Sequence, residues 1–156
     1  MASTRGNNNP YNQDNEITWV DWSGRERNAD IFRFFQRMIA FRKAHPSIGR
    51  SHYWRSDVRW YGIGPRVDAT FESHSFAYLL DGASVGDADL YVMINAWWEP
   101  LDFVVQEGRA SDWRRIIDTG RPSPDDIVDP GAEATIDSLT VRVQARSIVV
   151  LTRRRA

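Results

Sequence analysis

The residues after Pro46 form short runs in which apolar and polar types recur with a period of two. Turn-forming glycines and prolines separate the runs, and no helical spacing lies between them. Their β-branched and aromatic residues favour strands, and the runs are DVRWYGI, FAYLLDG, DLYVMINAWW, LDFVVQEG, WRRIID, LTVRVQA and SIVVLTR. About seven or eight strands at this spacing predict antiparallel sheets stacked as a β-sandwich over residues 47–156, with VRVQARSIVVL as a final hairpin.

One helix is predicted before the strands. Asn28 or Asp30 can cap its amino end, and Pro46 is expected to end it. Its apolar residues follow the i, i+3, i+4, i+7, i+8 spacing of one helical face, at Ile31, Phe34, Phe35, Met38 and Ile39. The pattern predicts an amphipathic helix of about four turns from Ile31 to Lys43.

A polar segment from Met1 to about Asn28 precedes the helix. It is rich in Asn, Gly and Asp, whose side chains compete with regular structure for backbone hydrogen bonds. We therefore predict a mainly β fold, an antiparallel β-sandwich preceded by one amphipathic helix and an extended amino-terminal loop. A lone aromatic helix face beside a large loop is typical of the end of something larger, so a further part is expected upstream.

Composition excludes several classes of partner. The chain of 156 residues is 42% apolar and carries a net charge of −1, so it has no field to attract nucleic acid or an anionic membrane. No apolar run approaches the roughly 20 residues of a membrane span, and no signal peptide is visible. The absence of cysteine suits a cytoplasmic protein and, with three histidines that lack the paired spacing of zinc ligands, predicts no metal site; no cofactor is expected either.

Catalytic residues are not predicted in this chain. Glycoside hydrolysis needs two facing carboxyl groups, and the candidate pairs are Asp14 with Glu16, Asp87 with Asp89, and Asp125 with Asp126. Neighbouring acidic residues in loops are more typical of turns and helix caps. A relay of Ser73, His74 and Ser75 lacks a G-x-S-x-G elbow, so a strand edge is the better interpretation there.

Aromatic and amide side chains are a stronger signal, because they bind sugars by stacking and hydrogen bonding. The amino-terminal loop carries both kinds, and the candidates for contact with substrate are Asn9, Tyr11, Asp14 and Asn15. Alternatively, the loop packs on a neighbouring domain or only shapes a site. Trp97 and Trp98 would lie on opposite sides of a strand, so at least one of them is expected in the core.

The segment GNNNPYNQDNEITWVDW, Gly6 to Trp22, resembles the NNN-Y-QDNE-W-DW segment of glycogen debranching enzymes of the isoamylase type. These enzymes belong to glycoside hydrolase family 13, in the α-amylase superfamily. AFRKAHP, Ala40 to Pro46, is similar to the LRK-HP element that follows in that family, and the strands resemble its C-terminal β-domain. The resemblance covers roughly Gly6 to Thr152.

The resemblance implies that the parent enzyme hydrolyses α-1,6-glucosidic branch points of glycogen or another branched α-glucan. Its catalytic aspartate, glutamate and second aspartate lie on a (β/α)₈ barrel, expected upstream of this chain. Residues 1–46 would be the last loop and closing helix of that missing barrel, and residues 47–156 the C-terminal domain. The loop would help to wall the branch-point cleft, and this chain alone would be inactive.

Two other interpretations of the sandwich remain open. It could be a free-standing glucan-binding module that uses exposed aromatic residues such as Trp54, Trp60 or Trp98. It could also be a small stand-alone interaction protein. Burial of the apolar helix face on the chain's own sandwich would favour an autonomous protein, whereas an uncovered face would indicate a missing barrel.

Overall fold

The structure, a computed structural model, describes residues 6–50, 53 and 55–154. Trp54, a candidate for glucan stacking, lies outside the described residues. The helices are α1 (Gly24–Arg27), α2 (Ala29–Ala44) and α3 (Pro46–Gly49), and single 3₁₀ turns occupy Arg55–Asp57, Ala83–Val85 and Ala110–Asp112. The strands are β1 (Val58–Tyr61), β2 (Ser75–Leu80), β3 (Asp89–Asn95), β4 (Leu101–Val104), β5 (Arg114–Asp118), β6 (Ala134–Thr135), β7 (Thr140–Val143) and β8 (Ser147–Arg153).

The strands form two antiparallel sheets. The larger sheet has the order β1-β2-β3-β8-β5-β6, and the smaller one pairs β4 with β7. The prediction of a mainly β antiparallel sandwich is confirmed, and seven of the eight described strands coincide with a predicted run within a few residues at each end. The two-residue strand β6 was not predicted.

The predicted final hairpin is wrong. β7 pairs with β4 in the small sheet, with Val143 opposite Leu101, whereas β8 pairs with β3 and β5 in the large sheet. The chain crosses from one sheet to the other through Gln144–Arg146, where Arg146 has a left-handed φ of 52°. The two strands lie in different sheets because their burial differs. β7 buries only alternate residues, whereas β8 is buried on both faces as an interior strand.

Two cores lie on opposite faces of the large sheet. The inner core fills the space between the sheets and includes the fully buried Tyr91, Phe103 and Trp113. The ring centroids of Tyr91 and Trp113 are 5.7 Å apart, edge to face. The outer core lies between the large sheet and α2, where Leu80, Leu90, Val92, Ile117 and Val150 meet Phe34, Met38 and Phe41 of the helix. The helix therefore belongs to the same packed unit as the sandwich.

The helix α2 confirms the predicted helix but not its caps. No side-chain hydrogen bond caps its amino end. Asn28 instead donates from Nδ2 to the Gly24 carbonyl oxygen at 2.8 Å, so it closes the unpredicted α1. Pro46 ends α2 and begins α3, a position where its missing N–H leaves no hydrogen bond unmade.

Candidate functional site

The apolar side chains of α2 form two strips rather than the single predicted face. Phe34, Met38 and Phe41 pack into the outer core. The second set is exposed by 41 to 62% and consists of Ile31, Phe32, Phe35 and Ile39, here called the outer strip. At about 100° per residue, the two strips are centred roughly a quarter-turn apart around the helix. The predicted face is thus half covered by the sandwich and half uncovered.

The amino end of α2 is fastened to the loop after β5. Arg33 donates from Nη1 to Asp126 Oδ1 at 2.8 Å and from Nη2 to the Ile127 carbonyl oxygen at 2.7 Å. It also donates to the Pro124 carbonyl oxygen. The Asp125–Asp126 pair is therefore part of a turn, as expected, and Asp126 additionally holds the helix. This contact was not predictable from the sequence, because no local pattern connects residues so far apart in the chain.

The carboxyl end of α2 is fastened to the loop before β3 through Asp87. Ser47 donates to Asp87 Oδ2 from its hydroxyl at 2.5 Å and its backbone N–H at 3.1 Å, and His45 Nδ1 lies 2.9 Å from Oδ1. Burial raises the pKa of Asp87, but the hydrogen bonds from Ser47 and His45 outweigh it and bring the pKa below its ordinary value. Asp87 is thus an ionised anchor that fixes the orientation of the outer strip.

Of the loop residues predicted to contact sugar, three are exposed and Asn15 is half-buried. Tyr11 is 74% exposed, and Asn9 is also exposed. Asp14 Oδ1 accepts a hydrogen bond of 2.7 Å from Trp19 Nε1, and Asn15 Oδ1 accepts one of 3.0 Å from the backbone of Ile17. The structure therefore brings Asp14 and Trp19 together, and Asn15 helps to shape its own turn. Contact of Asn9, Tyr11, Asp14 and Asn15 with substrate stays a prediction.

The other candidates for acid or nucleophilic chemistry have structural partners. Asp87 accepts hydrogen bonds from Ser47 of α3, as described above. The fully buried Asp89 accepts hydrogen bonds of 2.7 and 3.1 Å from Arg153. His74 Nδ1 contacts the carbonyl oxygen of Glu72 rather than a serine hydroxyl. Among the described residues, no group of three or more His, Asp or Glu side chains could hold a metal ion. Within the same ranges, no helix is long and apolar enough to span a membrane.

Trp97 and Trp98 correct another prediction. They follow β3 in a loop instead of lying on opposite sides of a strand, and neither is in the core. Their rings stack at 4.0 Å with an interplanar angle of 28°, and Trp98 is 62% exposed. Asn95, which sequence analysis overlooked, holds this loop: its Oδ1 accepts a hydrogen bond from the Trp97 N–H at 2.9 Å. A polar residue at the end of an apolar run was the available signal.

A second group of partly exposed aromatic residues lies on β1 and β2. The Trp60 ring is 5.4 Å from that of Tyr78 and 6.1 Å from that of Phe76. Trp60 pairs directly with Tyr78 across the strands, so these rings form a cross-strand cluster. The cluster shares the sheet face that α2 covers, because Tyr78 also packs against the outer core.

Comparison with known proteins identifies relatives that match most of the chain. Residues 57–152 match the family model described as "Isoamylase, C-terminal". The isoamylase of Flavobacterium sp is 31% identical over 94% of this chain and 22% of that protein. The isoamylase of Pseudomonas amyloderamosa is 32% identical over 87% of this chain and 19% of its own length. A glycogen operon protein GlgX homolog of Mycobacterium bovis is 30% identical over 94% of this chain and 23% of its length.

A solved structure has the same fold. It is the pullulanase type I from Bacillus subtilis str. 168 complexed with maltose, with a TM-score of 0.69 and 22% sequence identity. The match covers 97% of this chain and 19% of the pullulanase. The chain thus spans about a fifth of the length of the curated relatives described above. Since the family model matches residues 57–152, the chain belongs to the isoamylase C-terminal domain family.

Proposed function

We propose that this chain is the C-terminal part of a glycogen debranching enzyme of the isoamylase type. The full-length enzyme hydrolyses α-1,6-glucosidic branch points of glycogen or another branched α-glucan on a (β/α)₈ barrel. This part supports the barrel and does no chemistry. Residues 1–46 are the last loop and closing helix of the barrel, and residues 47–156 are the appended sandwich. The cysteine-free composition suits a reducing cytoplasm, where we place the enzyme.

The outer strip is the observation that carries the proposal. Four large apolar side chains are exposed on α2 next to the strip that packs in the outer core. The neighbouring loop exposes Trp19 by 62% and Trp22 by 78%. Large apolar side chains grouped on an exposed strip of a helix mark a contact with another part of a protein. A helix that closes a barrel and also carries the next domain needs one apolar strip for each.

The loop then helps to wall the branch-point cleft of the barrel. Asn9, Tyr11 and Asp14 are exposed, and in the barrel fold the loops after the strands build the active site. We infer that Asn9, Tyr11, Asp14 and Asn15 contact the glucan at the branch point. The names of the isoamylase and GlgX relatives support this class of substrate.

The experiment that tests the proposal is the mass of the native gene product. Cell extract is probed by immunoblot against this domain, and the captured protein is measured by intact mass spectrometry. A species several-fold heavier than 18.0 kDa is expected. A native species of 18.0 kDa would overturn the proposal.

The isolated chain is also expected not to hydrolyse pullulan. Activity that co-purifies with the chain and survives removal of Asp14 and Glu16 would contradict a non-catalytic role.

A free-standing glucan-binding module is the second candidate. The exposed indoles of Trp60 and Trp98 favour it, since carbohydrate-binding surfaces present aromatic rings. A native product of 18.0 kDa that is retained on glycogen is the outcome expected for this alternative.

A further inference from the structure

Trp98 has one covered and one open ring face. Its covered face stacks on Trp97 at 4.0 Å, and the Trp97 ring in turn lies 5.1 Å from the ring of His74. Trp98 is therefore the end of a row of three rings and is 62% exposed. An indole supported from behind in this way presents a broad apolar face to solvent.

The loop that carries these rings is fixed by a buried side chain. Asn95 is 1% exposed, and its Nδ2 donates to the carbonyl oxygens of Glu99 at 2.8 Å and Gln144 at 3.0 Å. The backbone N–H of Arg146 donates to the Trp97 carbonyl oxygen at 3.0 Å. The β3–β4 loop and the β7–β8 turn are thus joined into one unit. A preorganised aromatic side chain loses little conformational freedom when it binds a ligand.

Two charged residues lie close to the rings along the backbone. Glu99 follows Trp98 directly and is exposed, and Arg146 is exposed on the adjoining turn. Arg146 occupies the left-handed region with a φ of 52°, where glycine or asparagine is favoured. A residue held in a disfavoured conformation is a pointer to function, because sequence would otherwise select a better-suited residue there.

We propose that Trp98, with Glu99 and Arg146, binds a glucose unit of an α-glucan chain on the sandwich itself. The C–H face of a pyranose ring packs on the open face of the indole, and the two charged side chains hydrogen-bond its hydroxyl groups. The choice of a glucan rests on the function proposed above. One acidic and one basic group fit a neutral, hydroxyl-rich ligand better than a polyanion.

The test is isothermal titration calorimetry of the 156-residue chain with maltoheptaose. Trp98→Ala is expected to weaken binding by about tenfold or more, and Trp98→Phe, which keeps an aromatic face, by less. The matched control is Trp22→Ala, which removes another exposed indole, on the amino-terminal loop, and should leave binding unchanged. Far-UV circular dichroism and the urea midpoint of each variant verify that it is folded.

Three outcomes would overturn the site: no saturable binding by the unaltered chain, equal binding by Trp98→Ala, or an equal loss in Trp22→Ala. These results are separate from the native mass. Absent binding together with a heavy native species refutes this site and leaves the debranching proposal standing. Binding that depends on Trp98 in a native species of 18.0 kDa keeps the site and refutes the debranching proposal.

Discussion

Arg33 and Asp126, 93 positions apart in the chain, form an ion pair of 2.8 Å that ties the start of α2 to the loop after β5. Arg33→Ala is expected to lower the free energy of unfolding by about 2–3 kcal/mol, because hydrogen bonds from a charged donor are lost and Asp126 keeps no such partner. Urea denaturation measures this. The exposed Arg42 is the control, and Arg42→Ala should change stability by less than about 0.5 kcal/mol. Equal effects would contradict the anchoring role.

The two strips of α2 predict opposite results at neighbouring residues. Met38 packs into the outer core and Ile39 is 57% exposed. Met38→Ala should destabilise the isolated chain by about 2 kcal/mol through loss of buried contacts. Ile39→Ala should have an effect within about 0.5 kcal/mol. Urea denaturation of both variants compares them, and a large loss in Ile39→Ala would show that the outer strip is already covered.

The same pair of variants gives a different result in the full-length enzyme proposed here. Ile39 would then be buried against the barrel, so Ile39→Ala should also destabilise, by about 2 kcal/mol. The rate of thermal inactivation of debranching activity measures this effect. No change in the full-length protein would argue against a barrel seated on the outer strip.

The buried ion pair of Asp89 and Arg153 predicts a large loss on truncation. Asp89 is fully buried, and the Arg153 guanidinium also lies 4.6 Å over the Trp113 ring. Asp89→Ala should cost about 3–5 kcal/mol, because it leaves a buried guanidinium without its counter-charge. The urea midpoints of Asp89→Ala, Arg153→Met and the double variant test whether the unpaired guanidinium causes the loss. The double variant should be more stable than Asp89→Ala, and a further loss instead would refute the explanation.

Asp87 predicts a pH dependence of stability. Its folded pKa lies below the ordinary value of 3.8, since the hydrogen bonds from Ser47 and His45 outweigh burial. Its contribution is therefore fully present above about pH 4 and is lost as pH falls through the folded pKa. Asp87→Asn should flatten the fall in unfolding free energy below about pH 4, and Ser47→Ala should flatten it partly. An unchanged acid slope in Asp87→Asn would rule out this account.

The segment from Gly6 to Asn28 is expected to exchange its amide hydrogens rapidly in the isolated chain. Its side-chain hydrogen bonds described above are local, such as those from Trp19 to Asp14 and from Ile17 to Asn15. Hydrogen exchange followed by mass spectrometry compares this segment with β3, which should be strongly protected. Strong protection across the segment would contradict the expectation that its packing partner is the barrel.

The strands were predictable because burial leaves a direct pattern in the sequence. The apolar run of β3 reflects a strand covered by a core on each face, and the alternation in β7 reflects one buried side. How strands pair was not predictable from the same pattern. A short turn such as Gln144–Arg146 is compatible with a hairpin or with a crossing between sheets, and partners distant in sequence decide between them.

The candidate site was predictable in part. Helical spacing identified an apolar surface on α2 but not which half of it the sheet would cover. That division depends on anchors such as Arg33 and Asp87, whose partners lie far along the chain or in another loop. The Trp97–Trp98 loop was misplaced because aromatic residues extend the strand pattern of β3 beyond Asn95, where the strand ends. The side-chain hydrogen bonds of Asn95 reach residues well outside any local window.

The two strips of α2 also bear on how the proposed enzyme melts. Domains joined by a flexible tether unfold independently and give separate calorimetric peaks. In the proposed enzyme, α2 would contribute side chains to the hydrophobic cores of both the barrel and the sandwich. Unfolding of either domain would therefore expose apolar surface of the other. Barrel and sandwich should therefore behave as one cooperative unit, with a single heat-absorption peak and no swivelling between them.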